Sequence, residues 1–250
     1  MINPFLTKPN YIRIYGHRGA RGDIVENSIS GFKYTFDLGI KAVEFDVVIS
    51  KDNIPTIFHD YRLNPDLVKD ASGNWIADKS MKLVELTYDE ISKYSIGSIK
   101  PETKYAKRFK DQKPITGEKI PKLTDFFKLV TEDKYKDVFL NLEIKSTPTQ
   151  ENVTPDPEKM VSLILKDIKD FNLEDRTLIT SYDWRILYAL KKQNPNILRG
   201  FITLQQNLST TKKNIHEKAS FFSTNEVLEQ VTKSPLNAKY FKEYITSRYL

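Results

Sequence analysis

Glu44 and Asp46 stand two residues apart in Ala42-Val43-Glu44-Phe45-Asp46-Val47-Val48-Ile49-Ser50, a run whose apolar, branched residues predict a strand. Positions i and i+2 of a strand project from one face, so the two carboxylates share a side of the sheet. Unpaired carboxylates at that spacing repel and resist ionising together, and a divalent cation removes the conflict. Glu143, in a second strand pattern, offers a third oxygen donor. The set matches the sparse carboxylate shell that holds Mg²⁺ or Ca²⁺ with water and substrate filling the rest. The residues also fit a structural ion network in which Arg18 and Lys145 neutralise the three acids, and spacing alone does not separate the two arrangements.

Only three histidines occur, His17, His59 and His216, and the first two close predicted strands. His17 sits in Gly16-His17-Arg18-Gly19, and His59 precedes Asp60. A single histidine is more often structural than chemical, but two at matched strand ends suit paired proton transfer. Arg18 offers a planar fork to phosphate oxygens and Lys145 a point charge, so a phosphate-bearing substrate is one partner for both; counter-ion duty toward the acids is the other. Five of the nine glycines fall between Gly16 and Gly39, which makes the turn after the first strand the place where the backbone needs freedom or close approach.

The elements that must position these residues alternate. Strands are predicted over 11–17, 42–50, 54–59, 138–145, 177–182 and 197–203, with Lys51-Asp52-Asn53 a tight turn between the second and third. Helices are predicted through Ile29, Phe32, Phe36 and Leu38 up to Gly39, and over 125–130, 157–171 and 184–193. This alternation predicts an α/β fold with a mainly parallel sheet. In the fourth strand Val138, Leu140, Leu142 and Ile144 face one way, and Phe139, Asn141, Glu143 and Lys145 the other. In the second strand Val43, Phe45, Val47 and Ile49 oppose Glu44, Asp46 and Val48. In a barrel the first sets pack on outer helices and the second sets face the lumen, near the C-terminal strand ends where barrel enzymes carry their sites. Residues 60–120 are polar and loop-like, with Pro65, Pro101, Pro114 and Pro121 and one short helix after Thr87, and read as an insertion on the rim. After Gln205 the pattern weakens: about 45 residues remain, whereas each β/α unit of a barrel needs roughly 30. Strands seven and eight are therefore not located, and the barrel reads as short at that end.

Composition narrows the class. The 250 residues, 39% hydrophobic, suffice for one barrel-sized domain over 1–250 and exclude global disorder. The absence of cysteine excludes disulfides, thiolate metal sites and thiol catalysis. No apolar run approaches the ~20 residues that span a bilayer, so no stable membrane anchor is expected. Met1 to Asn10 lacks a signal-like apolar core, and a cytoplasmic location is expected. The net charge of +6 comes from the last 60 residues, where 10 basic residues meet 4 acidic ones, while residues 1–190 carry 29 of each. That distribution reads as a solvated basic face, and no nucleic-acid partner is expected. Gly16, Gly19 and Gly22 give G-x-x-G-x-x-G, not the G-x-G-x-x-G of a dinucleotide-binding turn.

Gly16-His17-Arg18-Gly19, Glu26-Asn27-Ser28, Glu44-Phe45-Asp46-Val47, His59-Asp60 and Leu142-Glu143-Ile144-Lys145, in this order and spacing, resemble the glycerophosphodiester phosphodiesterase family over residues 13 to about 203. The resemblance implies a (β/α)₈ TIM barrel of the phospholipase C-like phosphodiesterase type. It implies metal-dependent hydrolysis of a glycerophosphodiester to glycerol 3-phosphate and an alcohol. Carried over by position, it makes His17 and His59 the acid/base pair, Arg18 and Lys145 the phosphate-side cations, and Glu44, Asp46 and Glu143 the ligands of one divalent cation, Mg²⁺ or Ca²⁺. Val25 stands where the family usually has proline, and the family's last two strands find no clear counterpart after Gln205. A lysophospholipase D-type activity of the same superfamily, or an inactive barrel acting as a binding protein, are the alternatives.

Overall fold

The computed structural model describes residues 13–150 and 152–202. The first two residues of the expected first strand, the basic stretch after Gln205 and the question of strands seven and eight lie outside the described residues. In chain order the elements are β1 (Gly16–His17), α1 (Ile29–Asp37), β2 (Ala42–Ile49), β3 (Pro55–Ile57), α2 (Tyr88–Ser92), α3 (Lys104–Arg108), α4 (Leu123–Val130), β4 (Phe139–Ile144), α5 (Pro157–Asp170), β5 (Thr177–Ser181), α6 (Trp184–Gln193) and β6 (Leu198–Phe201). The strands β1-β2-β4-β5-β6 lie side by side and all pair parallel. The parallel sheet is the one that the alternation predicts, and the arrangement is of the β/α-barrel type that the resemblance implies.

One strand departs from the mainly parallel expectation. β3 pairs antiparallel with β2, Val47 opposite Ile57 and Ile49 opposite Pro55. The cause is chain length, since the short turn after Ile49 closes a hairpin, whereas a parallel return needs a crossover of a dozen or more residues.

Local sequence sets the helix limits. Ser28 caps α1 by accepting the Gly31 N–H at 2.9 Å, and Gly39 follows its end at φ 84°, a conformation that favours glycine. Asp156 caps α5 ahead of Pro157 in its first turn, and Asp183 caps α6.

The strand faces divide as the alternation requires. Val43, Phe45, Val47, Ile49, Leu140, Leu142 and Ile144 are buried beneath α1, α4, α5 and α6, with Phe126 at the centre, 4.2 Å from the Phe32 ring and 4.7 Å from that of Phe45. Gly16 admits this approach on the β1 side, because a Cβ there would meet Thr35 Cγ2 at 2.6 Å.

Residues 60–120 are more than rim loops. Leu63, Val68, Leu83, Ile91, Ile96 and Ile120 form a second apolar core with Val48 and Phe58 of the hairpin. The expected helix after Thr87 is α2, held by a Thr87/Glu90 capping box. The sequence reading did not foresee α3, whose five residues are too short for a periodic signal.

Candidate active site

Strand register assembles the site. His17 pairs with Glu44 across β1 and β2, and Asp46 with Glu143 across β2 and β4, so the polar faces of three neighbouring strands meet on one side of the sheet. Each of Glu44, Asp46 and Glu143 offers an oxygen within 4.8 Å of the others.

Two cations reach into this cluster. Lys145 Nζ donates to Glu143 Oε1 at 2.6 Å and lies 3.6 Å from Asp46 Oδ1. The Arg18 backbone N–H donates to Glu44 Oε2 at 3.1 Å, its Nη1 donates to Glu26 Oε1 at 2.8 Å, and its Nε stands 3.3 Å from Asp46 Oδ2. Arg18 is held at φ 54° and Asn27 at φ 52°, in left-handed backbone that non-glycine residues adopt at a cost of about 1–3 kcal/mol each. The loop locks them, with the Asn27 N–H donating to the Arg18 carbonyl at 2.9 Å.

The cations do not balance the acids. Burial first, and then the negative charge of Asp46 and Glu143, pushes Glu44 up to about 8. Burial also raises Glu143, with Asp46 adding to it against the opposing Lys145. Asp46 Oδ1 is buried and accepts no hydrogen bond among the described residues. A buried anion with a free lone pair is costly unless something cationic completes it. The donor set, all carboxylate oxygen with an orphaned atom at its centre, fits a hard divalent cation and argues against a purely structural ion network.

The two histidines stand at opposite ends of the cluster. His17 Nε2 lies 3.6 Å from Glu44 Oε2, its ring 62% exposed. Partial desolvation first, then the positive charges of Arg18 and Arg21, lowers its pKa. His59 follows the hairpin and lies near enough to Glu143 to act on its charge. Its Nδ1 is 2.6 Å from Asp60 Oδ1, and Asp60 also accepts from Asn64 Nδ2 at 2.9 Å and Lys79 Nζ at 3.1 Å. Burial works against its ionisation, but the hydrogen bond and charge of His59, and then Lys79, hold Asp60 below the usual carboxylate range.

Other site residues carried no assigned role in the sequence. Asn27 fixes Asp46, Glu26 braces Arg18, and Asp60 orients His59. Their signal was membership in the quoted motifs, since no periodicity marks a turn residue. Tyr182, at the end of β5, places its ring 5.7 Å from Lys145 Nζ. Tyr61 is pushed up to about 12 by burial and then by Glu143, Asp183, Asp46 and Asp60, so its phenol also faces the acids.

Three convergent carboxylates, two histidines and two cations thus meet on the strands of a β/α barrel, the architecture whose enzymes carry their sites at the C-terminal strand ends. The Glycerophosphoryl diester phosphodiesterase family model matches residues 17–243. A glycerophosphodiester phosphodiesterase of Caldanaerobacter subterraneus is 30% identical over 189 residues, 76% of this chain and 65% of that protein. A human glycerophosphocholine phosphodiesterase is 25% identical over 75% of this chain and 30% of its own length. The chain thus spans just under two thirds of its bacterial relative. A crystal structure from Silicibacter pomeroyi DSS-3 carrying the same family name superposes with a TM-score of 0.76 at 26% identity, covering 96% of this chain and 88% of that one. An Oleispira antarctica phosphodiesterase solved with its product sn-glycerol-3-phosphate shares the fold, with a TM-score of 0.59 at 22% identity over 96% of this chain and 90% of that one. The chain belongs to the glycerophosphoryl diester phosphodiesterase family.

Proposed function

We propose that this chain hydrolyses glycerophosphodiesters to glycerol 3-phosphate and an alcohol with the help of one divalent cation, Mg²⁺ or Ca²⁺. The observation that carries the reading is Asp46 Oδ1, buried among three converging carboxylates and accepting no hydrogen bond among the described residues, with only Lys145 Nζ at 3.6 Å and with His17 beside Glu44. Glu44, Asp46 and Glu143 would hold the cation, which supplies charge neutralisation for the phosphodiester and polarises its oxygens.

The chain's own groups do the rest. Arg18 and Lys145 stand within ion-pair distance of Asp46, where they bind the non-bridging oxygens of the phosphate and stabilise the charge that grows on them in the transition state. One of His17 and His59 takes a proton from the attacking oxygen, that of a water molecule or of the substrate's own glycerol hydroxyl, and the other donates one to the alkoxide as its P–O bond breaks; where the glycerol hydroxyl attacks, water then opens the cyclic phosphate to give glycerol 3-phosphate. Each transfer is worth roughly 10²- to 10⁴-fold. Asp60 accepts from His59 Nδ1 and leaves Nε2 as the nitrogen that meets substrate. All these groups lie between His17 and Lys145, within the compact unit that ends at Ile202.

The test is release of glycerol 3-phosphate from glycerophosphocholine and glycerophosphoethanolamine with Mg²⁺, Ca²⁺ or chelator. Release that stops with chelator is expected. Equal release with chelator overturns the metal-assisted reading, and none with any metal overturns the activity.

A further inference from the structure

The second core packs α3 against the loop that carries Arg18. The Tyr105 hydroxyl donates to Glu26 Oε2, while Glu26 Oε1 accepts Arg18 Nη1 at 2.8 Å. Glu26 is buried, and Arg21 Nε adds a longer contact, 3.6 Å from Oε2. The Arg21 guanidinium lies 4.6 Å from the Phe109 ring centroid and 5.9 Å from that of Tyr105, the two rings being 4.8 Å apart. Backbone contacts fasten the same segment down: the Lys113 N–H donates to the Asp23 carbonyl at 2.7 Å, and Gln112 Nε2 donates to the Arg21 carbonyl at 2.8 Å.

Within this arrangement one oxygen of Glu26 is committed to the rim and the other to Arg18. A carboxylate with one oxygen fixed cannot rotate, so the oxygen facing Arg18 is fixed too. The Arg18 side chain has a second anchor, Asp46, whose Oδ2 already accepts from Asn27. Without Glu26 the guanidinium would swing toward the three carboxylates, where it would act as their counter-ion. With Glu26 its Nη1 is committed away from them and only Nε stands at ion-pair distance from Asp46, so the guanidinium keeps an edge for a substrate anion. Burial, and then the neighbouring Glu26, pushes the Tyr105 phenol upward, so it remains a proton donor across the working range.

We infer that Tyr105, supplied by the rim segment, is a positioning residue that holds Arg18 ready for the phosphate by way of Glu26. This rests on the reading of Arg18 as a phosphate-side group. It gives the 97–113 stretch a role in the chemistry beyond shaping the rim.

The experiment is a double-mutant cycle on the full chain with metal, using Tyr105→Phe, Arg18→Ala and the pair, with glycerophosphocholine turnover and calorimetric binding of inorganic phosphate as separate readouts. Tyr105→Phe keeps the ring against Phe109 and Arg21 and removes only the donor. It should lower kcat/KM roughly tenfold and weaken phosphate binding, in line with what a supporting hydrogen bond to an active-site group contributes, while the unfolding midpoint moves by no more than about 3 °C. In the Arg18→Ala background it should change neither readout further. Glu26→Gln should reproduce the loss. Wild-type values in Tyr105→Phe, an equal loss in the Arg18→Ala background, or a loss explained by unfolding would overturn the inference alone. Full activity and phosphate binding in Arg18→Ala would overturn the reading of Arg18, and the inference with it.

Discussion

Asn27 and Asp46 bond each other twice: Asn27 Nδ2 donates to Asp46 Oδ2 at 2.9 Å, and the Asp46 backbone N–H donates to Asn27 Oδ1 at 3.3 Å. One oxygen of Asp46 is thereby occupied and the other left open toward Glu44 and Glu143. The turn residue thus selects which oxygen would face the proposed cation. Asn27→Gly tolerates the φ of 52° and removes only the side chain, so it isolates this effect. We expect divalent-cation affinity to fall about 10- to 100-fold with the fold retained. Calorimetric titration with Mg²⁺ or Ca²⁺ measures it, and unchanged affinity would show that Asp46 needs no such orientation.

Glu44 carries the clearest pH signature. Its folded pKa, about 8, lies above the ordinary glutamate value of 4.5 because of burial and then Asp46 and Glu143. With no cation bound, its contribution to stability is fully present below about pH 4.5 and is lost as pH rises through about 8. The metal-free protein should therefore lose thermal stability from about pH 5 to 8, and added cation should restore it. Binding near pH 6 should release up to one proton from Glu44, and near pH 9 none. Calorimetry in buffers of different ionisation enthalpy reads that number. Glu44→Gln should remove the pH-dependent loss, weaken the cation-induced rise in midpoint and lower turnover on the order of 100-fold. Full turnover of this variant at low metal concentration would remove Glu44 from the ligand set.

The strands that build the site were legible because each carries two chemically distinct faces. In β2 and β4 a strict apolar alternation left Glu44, Asp46 and Glu143 with a common direction, and parallel register did the rest. What the sequence concealed depends on contacts between distant segments. Asn27 and Glu26 act from a turn, where no period marks a partner. Tyr105 reaches Glu26 from 79 positions away, on a five-residue helix. The second core was hidden for a similar reason: Leu63, Leu67, Val68, Leu83 and Ile96 come singly or in pairs between polar residues, without a helical or strand period, and only the fold gathers them.

The two histidines separate chemistry from structure. His17 is mostly exposed and His59 partly so, and neither belongs to an apolar core cluster, so replacing either leaves no large buried cavity. His17→Ala and His59→Ala should each lower kcat about 10²- to 10⁴-fold while the cation still raises the unfolding midpoint. Loss of folding in either variant would mark that histidine as structural.

Phe126 tests the layer that carries the site. Its ring is fully buried between Phe32, Phe45 and Phe36. Phe126→Ala should destabilise the fold by about 3–5 kcal/mol through lost burial and the cavity left behind. Denaturant unfolding measures this. A loss below about 1 kcal/mol would mean that the layer beneath β2 collapses around the gap.

Asp60 links His59 to both pH and catalysis. His59, Lys79 and Asn64 all address its two oxygens, and its folded pKa lies below the ordinary aspartate value of 3.8. A depressed carboxylate contributes stability that is present above its unfolded pKa, about 3.9, and is lost as pH falls through the folded value. Asp60→Asn should therefore reduce stability at neutral pH and flatten the acid limb of the midpoint-against-pH curve. It keeps the size of the side chain but can present its amide nitrogen to His59 Nδ1, which reverses the hydrogen bond and moves the ring proton to Nε2. Turnover should fall roughly 10- to 100-fold, with little change in cation affinity, because Asp60 touches none of the three converging carboxylates. Acid unfolding scans and steady-state kinetics on the same variant separate the two effects. An unchanged acid limb together with full turnover would show that Asp60 neither anchors the loop nor sets the orientation of His59.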